Sequence, residues 1–327
     1  MKDNEVPTID AVIMWVDGSD PFHKAKMESY LEHTHSVNNK SLRTRYDQVN
    51  EIEFCVKSIL KYAKFVRNIF IVTDNQTPNF LKDQEKSQRE FPNVFIVDHK
   101  VIFDGYTQFL PTFNSRSIAT LLYKIPNLSE HFIVMCDDFM LINETKSSDF
   151  FHEKKPLLRG EWRSFNEDLF YKNIYKHFLN FIGKPKKEKK AGHFIAQQIM
   201  AKNLGFKKFY KLHHVPMPMR KSTLEKYFEL NYEEFENNIK YRFRDSSQFL
   251  LESLINHLEI KNKTCKLSDS YQLAYFQNYK KPFLWLKFKL RSAGKNENKL
   301  FLCMQSLDQC PPEKLSFIKK WLESKYN

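Results

Sequence analysis

The sequence predicts an α/β fold built on a mostly parallel sheet, and three features carry that expectation. Short, nearly continuous apolar runs of strand length recur through the first half. Helix-spaced apolar residues lie between them, and each run ends directly on an aspartate. With 327 residues, 42% of them apolar and 15% aromatic, the chain can bury one elaborated domain or a core with a smaller lobe.

The first strand covers residues 9–16 and runs into Asp17. A helix follows, because Ile52, Cys55, Val56, Ile59, Leu60 and Ala63 keep the three-and-four spacing of one face. Strands at 69–73, 94–97 and 132–136 run into Asp74, Asp98 and the pair Asp137-Asp138, with a further helical pattern at 117–123. Beyond about residue 150 the pattern becomes helical and aromatic-rich, interrupted by a basic run at 184–190. A strand at 300–304 then precedes a helix opened by Pro311-Pro312-Glu313, with Leu315, Ile318 and Leu322 on one face. The expected division is an α/β core over 1–150, a helical lobe over 151–295, and a strand and helix returning to the core over 296–327.

A formal charge of +13 favours anionic partners such as nucleotides, polyanions or acidic lipid head groups, without choosing among them. Five cysteines without CxxC spacing indicate neither a disulfide framework nor a zinc knuckle, and a reducing cytosol is the simpler home. The first ten residues lack a signal-peptide pattern, and no run reaches the roughly 20 apolar residues of a membrane span, so a soluble or peripheral protein is expected. Seven glycines and a heavy load of Lys, Asn, Phe and Ile resemble the product of an AT-rich bacterial genome. The basic run reads either as a solvated loop or as attraction for an anionic polymer or the inner membrane face. The last helix, with Trp321 and Tyr326, reads as packed core.

In open parallel sheets ligands bind beyond the carboxyl ends of the strands. Asp17, Asp74, Asp98 and Asp137-Asp138 would then converge on one crevice, where Mg²⁺ or Mn²⁺ could bridge carboxylates to a diphosphate. Any single Asp after a strand is equally a turn or helix-cap residue. The adjacent Asp137-Asp138 pair is the least ordinary, because neighbouring carboxylates repel unless a cation or protons compensate them.

Residues 9–21, IDAVIMWVDGSDP, closely resemble the first conserved region of the Stealth family of sugar-phosphate transferases. Arg45-Tyr46-Asp47, the helix around Glu53, residues 69–78, 110–115 and 128–138 are similar to its second region. His214-Val215-Pro216 with Arg242-Phe243-Arg244 resembles the third, and residues 300–305 with the closing helix the fourth. Two departures stand out: Gln305-Ser306 where relatives tend to carry Asn-Asp, and Arg116 where a small residue is usual.

The resemblance implies a GT-A-like, Rossmann-type core that moves a sugar-1-phosphate, here an N-acetylhexosamine-1-phosphate, from a UDP-sugar to a glycan hydroxyl with release of UMP. It implies metal binding by Asp137 and Asp138, and donor contacts from Asp17, Asp20, Arg45, Asp74, Asn75, Asn114, Arg116 and Gln305. His214 is the expected general base; His213 is its equal on chemistry alone, and the His-Val-Pro match selects His214. Asp17 is the alternative base. Arg242 and Arg244, two apart, would project to one side if extended and clamp phosphate. The compact chain resembles the bacterial capsule type, a cytoplasmic enzyme with an anionic growing glycan as acceptor and peripheral contact with the inner membrane and other capsule proteins. The rival expectations are a GT-A glycosyltransferase that releases UDP and, less favoured, a nucleic-acid-binding protein. Carboxylates at the strand ends argue against nucleic acid, since they repel phosphate unless a cation intervenes.

Overall fold

The computed structural model describes residues 7–31, 49–168 and 192–327. Arg45 and the basic run at 184–190 lie outside the described residues. The strands are, in chain order, β1 Ile9–Met14, β2 Val66–Thr73, β3 Val94–Asp98, β4 His131–Cys136, β5 Phe139–Leu141, β6 Phe151–His152, β7 Lys155–Arg163, β8 Phe209–Leu212, β9 Met217–Arg220, β10 Lys266–Ser268, β11 Leu273–Phe276 and β12 Phe301–Met304. The central sheet runs β3-β2-β1-β4-β9, with β1 to β4 all parallel and β9 antiparallel to β4. This is the expected α/β architecture.

Both faces of the inner strands β1 and β4 and of the second half of β2 are buried, which is why they read as continuous rather than alternating apolar runs, whereas the edge strand β3 exposes Phe95 and Ile96. From β1, Ile9, Ala11 and Ile13 pack with Ile52, Cys55, Val56 and Ile59 of the helix Glu51–Tyr62. Val12 faces the other way, into a second cluster with Leu121, Leu122 and Phe132. The exception is Asp10, fully buried in β1. Its carboxylate takes two hydrogen bonds from Arg67, at 2.9 and 2.6 Å, and one from the Ser129 N–H at 2.7 Å, so the buried charge is fully partnered.

A smaller sheet, β11-β12-β5, lies beside the core. The closing helix Pro312–Tyr326 buries Ile318, Leu322 and Tyr326 against this region, and the Tyr326 hydroxyl donates to the Leu141 carbonyl at 2.9 Å. It is packed core, as expected. All five cysteines are free thiols.

Between 151 and 295 the structure holds strands as well as the expected helices. Most of β6 to β11 are two to four residues long, too short for periodicity to show. β9 contains Pro218, which argues against a strand in sequence; it is tolerated because β9 is the last strand of the sheet. The helical pattern at 117–123 is realised as Ser115–Thr120 followed by a 3₁₀ turn at Leu122–Lys124.

Candidate active site

Parallel strands deliver their ends to one edge, and a cavity of about 400 Å³ opens there. Asp74, Asp137 and Asp138 line it, with Trp15, Glu51, His214 and two arginines, Arg116 and Arg244. Asp17 and Asp98 sit at the same edge but serve local structure. The Asp17 carboxylate accepts from the Ser19 N–H at 2.9 Å and its hydroxyl at 2.6 Å. Asp98 accepts from the Lys100 and Asn75 N–H groups, at 2.8 and 2.7 Å. The strand-end rule therefore assembles one acidic site from Asp74 and the Asp137-Asp138 pair, and two turns from the remaining aspartates.

Asp138 is anchored through its carbonyl, which accepts from the Met304 N–H of β12 at 3.0 Å. One carboxylate oxygen accepts from the Cys303 thiol at 3.5 Å, while the other is buried with no hydrogen-bond donor. Burial raises the Asp138 pKa, opposed by His214 and the Cys303 thiol. Burial pushes Asp137 well above the usual carboxylate range, and the Asp138 charge and then Glu51 push it further. Glu51 is itself raised by burial. Acids held so uncomfortably, one with an unpartnered oxygen, fit a divalent cation, and their oxygens suit a hard one.

Asp138, His214 and Cys303 bring their candidate ligand atoms within 4.8 Å of one another. Burial and Asp138 raise the Cys303 thiol, so it stays protonated and is presented as a donor rather than a thiolate. The His214 ring is held between Phe139, with centroids 4.7 Å apart, and Tyr275, at 6.2 Å. The residue keeps solvent-accessible surface while lining the cavity. Desolvation lowers its pKa, with Asp138 pulling the other way. His213 turns away: its N–H donates to the Arg159 carbonyl at 3.0 Å and its ring meets Tyr271 at 4.8 Å. Only His214 of the two lines the cavity.

Two arginines line the same cavity, near His193 and Glu252. Arg116 donates to the carbonyls of Asp245 and Gln248, at 3.0 and 3.3 Å, and Arg244 to the Ser115 hydroxyl at 2.7 Å. Arg242 is not in the lining; its guanidinium lies over the Tyr30 ring, 4.6 Å from the centroid. Residues 241–250 form no strand, so the two-apart spacing does not put both arginines on one side.

Asn114 explains how this segment is held. Its amide donates to the carbonyls of Tyr241 and Phe243, both at 3.1 Å, and to Gln248 at 2.8 Å, while its oxygen caps the Arg116 N–H at 3.1 Å. Fully buried, it ties the helix bearing Arg116 to the loop bearing Arg244. Asn114→Ala removes four hydrogen bonds made from one fully buried side chain, those to Tyr241, Phe243, Gln248 and the Arg116 N–H, and is expected to cost about 3 kcal/mol in chemical denaturation.

On the β2 side, Asp74 forms an ion pair with Lys26 at 2.9 Å, close to the buried His23 and His99. Burial takes His99 down to about 4 and lowers His23, so both are neutral at neutral pH. Asp20 caps the helix Pro21–Glu28 and accepts from the Gln76 amide at 3.1 Å. Asn75 is exposed in the left-handed conformation of a tight turn, at φ 53°. Gln305 lines the cavity and bonds the Tyr275 hydroxyl. Its neighbour Ser306 adopts φ 55°, a conformation Asn and Asp accept more readily.

Several lining residues escape a reading of strand ends alone. His99 directly follows Asp98, so extending the rule by one residue finds it. Glu51 opens the helix after a left-handed Asn50, with no motif to mark it. His193 and Glu252 arrive from helices His193–Asn203 and Leu251–Lys261, which pack together far from the strands in sequence. Burial, then His214, Arg116 and Arg244, take His193 down to about 4. Glu252 is raised by burial.

Conserved region 2 of the Stealth proteins matches residues 45–158. A capsular polysaccharide phosphotransferase of Actinobacillus pleuropneumoniae is 41% identical over 145 residues, 44% of this chain and 38% of the relative. One from Haemophilus influenzae is 34% identical over 74% of this chain and 62% of its own. The chain thus spans less than two thirds of these relatives' length. The solved structure of mouse xyloside xylosyltransferase 1 aligns over 91% of this chain and 98% of its own, at 10% identity and a TM-score of 0.41.

Proposed function

We propose, from the match of residues 45–158 to conserved region 2 of the Stealth proteins, that the chain transfers a hexose-1-phosphate, an N-acetylhexosamine-1-phosphate, from a UDP-sugar to a glycan hydroxyl in capsule synthesis. UMP leaves and a phosphodiester remains. The observation that carries this reading is one cavity lined by Asp137, Asp138 and His214 together with Arg116 and Arg244. That arrangement gives an anionic donor a place for a cation, a base and two guanidinium groups. The names of the relatives, capsular polysaccharide phosphotransferases, support the same reaction class.

The acceptor oxygen attacks the β-phosphorus, the one bearing the sugar, and the bond from that phosphorus to the bridging oxygen breaks. The anomeric carbon is untouched, so its configuration is retained. His214 takes the acceptor proton; its lowered pKa keeps the ring neutral and receptive at neutral pH. Arg244 and Arg116 face the non-bridging oxygens, where charge spreads in phosphoryl transfer. Asp137 and Asp138 would hold Mg²⁺ or Mn²⁺, which would supply neutralisation of the diphosphate. Asp74 bounds the donor side. Asp17, Asp20 and Gln76 shape the turn after β1, where the Asp17 N–H donates to Gln76 at 2.9 Å. The growing anionic glycan would be met at the inner face of the cytoplasmic membrane.

Incubation with a panel of UDP-N-acetylhexosamines, Mg²⁺ and a short glycan primer is expected to release UMP and give a phosphodiester resonance in the phosphorus NMR spectrum of the product. UDP release without that resonance would replace the reading by ordinary glycosyl transfer.

A further inference from the structure

The helix Phe283–Lys295 carries an apolar and cationic outer face that the transfer chemistry does not use. Its inner face is ordinary core: Leu286, Leu290 and Ala293 are buried. Outward it presents Leu284 and Phe288, 79% and 74% exposed, one turn apart. The same stripe continues through Arg291 and Lys295, both exposed, with Lys287 beside it. Over residues 280–295 there are six lysines and arginines and no aspartate or glutamate. None of these residues lines the active-site cavity.

We propose that the outer face of this helix docks on an anionic lipid surface, with Leu284 and Phe288 entering the head-group boundary and Arg291, Lys295 and Lys287 meeting the lipid phosphates. The pairing of features selects this occupant. An anionic glycan would use the cations but leaves two large apolar side chains in water. A lipid interface uses both, which is how helices lie in the plane of a membrane. Elsewhere Phe22 and Leu230 are as exposed, but the helix of Phe22 commits Lys26 to Asp74 and Leu230 is flanked by Glu229, Glu233 and Glu234. Among the described residues no helix is long and apolar enough to cross a membrane. The inference deepens the membrane-side part of the function proposed above and rests on it for its meaning.

Its test is independent of transfer, being cosedimentation of the chain with vesicles in the absence of donor and acceptor. Binding is expected to vesicles of phosphatidylcholine with phosphatidylglycerol, to weaken with added salt, and to be absent with phosphatidylcholine alone. Leu284→Ser with Phe288→Ser, and separately Arg291→Glu with Lys295→Glu, should each lower partitioning by roughly tenfold or more. Both variants should keep the wild-type circular dichroism and soluble-primer activity. Absence of wild-type binding to the anionic vesicles overturns the proposal. So does full binding by the Leu284/Phe288 variant, which would reduce the contact to charge. A dimer that this variant converts to monomer without any effect of vesicles would assign the face to a second copy of the chain instead. Failure here leaves the transfer reading standing, and failure of transfer leaves vesicle binding to be judged alone.

Discussion

Asp138→Asn is expected to lower transfer by about 10³-fold or more in kcat/KM while leaving the fold at least as stable as wild type at neutral pH. The first half follows from charge: loss of one buried electrostatic partner of a transferring phosphoryl group corresponds to about 4 kcal/mol of transition-state stabilisation. The second half follows from linkage. Burial raises the folded pKa of Asp138 above its ordinary 3.8. Between that value and the raised one the native state retains a proton that the unfolded chain has released, so stability falls as pH rises through this window. At neutral pH the ionised carboxylate is therefore a cost in the metal-free protein, and the isosteric amide removes it. Thermal melts in a chelator should show the variant melting at or above wild type. Added Mg²⁺ should raise only the wild-type melting temperature by a clear margin. A variant that keeps its activity, or one that melts well below wild type without metal, would show that Asp138 serves the fold.

The sequence displayed the central sheet almost completely because its physics is local. Inner strands buried on both faces are written as unbroken apolar runs, as β1, β2 and β4 are, and the edge strand β3 keeps the apolar run although Phe95 and Ile96 are exposed. The short strands β6, β8, β9 and β10 were not legible, since two to four residues draw their identity from the partner strand rather than from their own pattern. The same divide runs through the site. Asp74, Asp137 and Asp138 were visible as strand ends, and Arg244 as part of a motif. That Asp17 turns back on Ser19, or that Asn114 spends its amide on Tyr241, Phe243 and Gln248, is decided by partners the chain meets only after folding. Arg242 and Arg244 show how a spacing argument fails when its premise of extended backbone does not hold.

The cavity also joins opposed requirements that one element could not meet. Asp137 and Asp138 come from β4, fixed by the sheet, while Arg244 comes from a loop pinned by Asn114 and His214 from the approach to β9. The titratable groups of the cavity are shifted away from their charged forms: burial raises the acids and lowers His193 and His214. A diphosphate with its cation would relieve both at once, since it places positive charge at the carboxylates and negative charge at the guanidinium groups.

His214→Ala is expected to lower kcat by about 10²- to 10⁴-fold with little change in KM, the signature of a group that acts on a proton in the transition state rather than on binding. The pH profile separates this from a structural role. Burial lowers the His214 pKa below the 6.5 of an ordinary histidine. As a base it works in the neutral form, so wild-type kcat/KM should hold through neutral pH and fall only on the acid side of 6.5, and the variant should lose that dependence. His213→Ala should retain both rate and profile, because His213 faces Tyr271 and not the cavity. Should His214→Ala keep wild-type kcat, the proton must pass elsewhere, and Asp17 would be the group to test. Asp17 already accepts two hydrogen bonds from Ser19 and stands outside the lining, so its turn would have to reopen before it reached an acceptor. A base that requires such a rearrangement would make the rate sensitive to Ser19→Ala, whereas a His214 base would not.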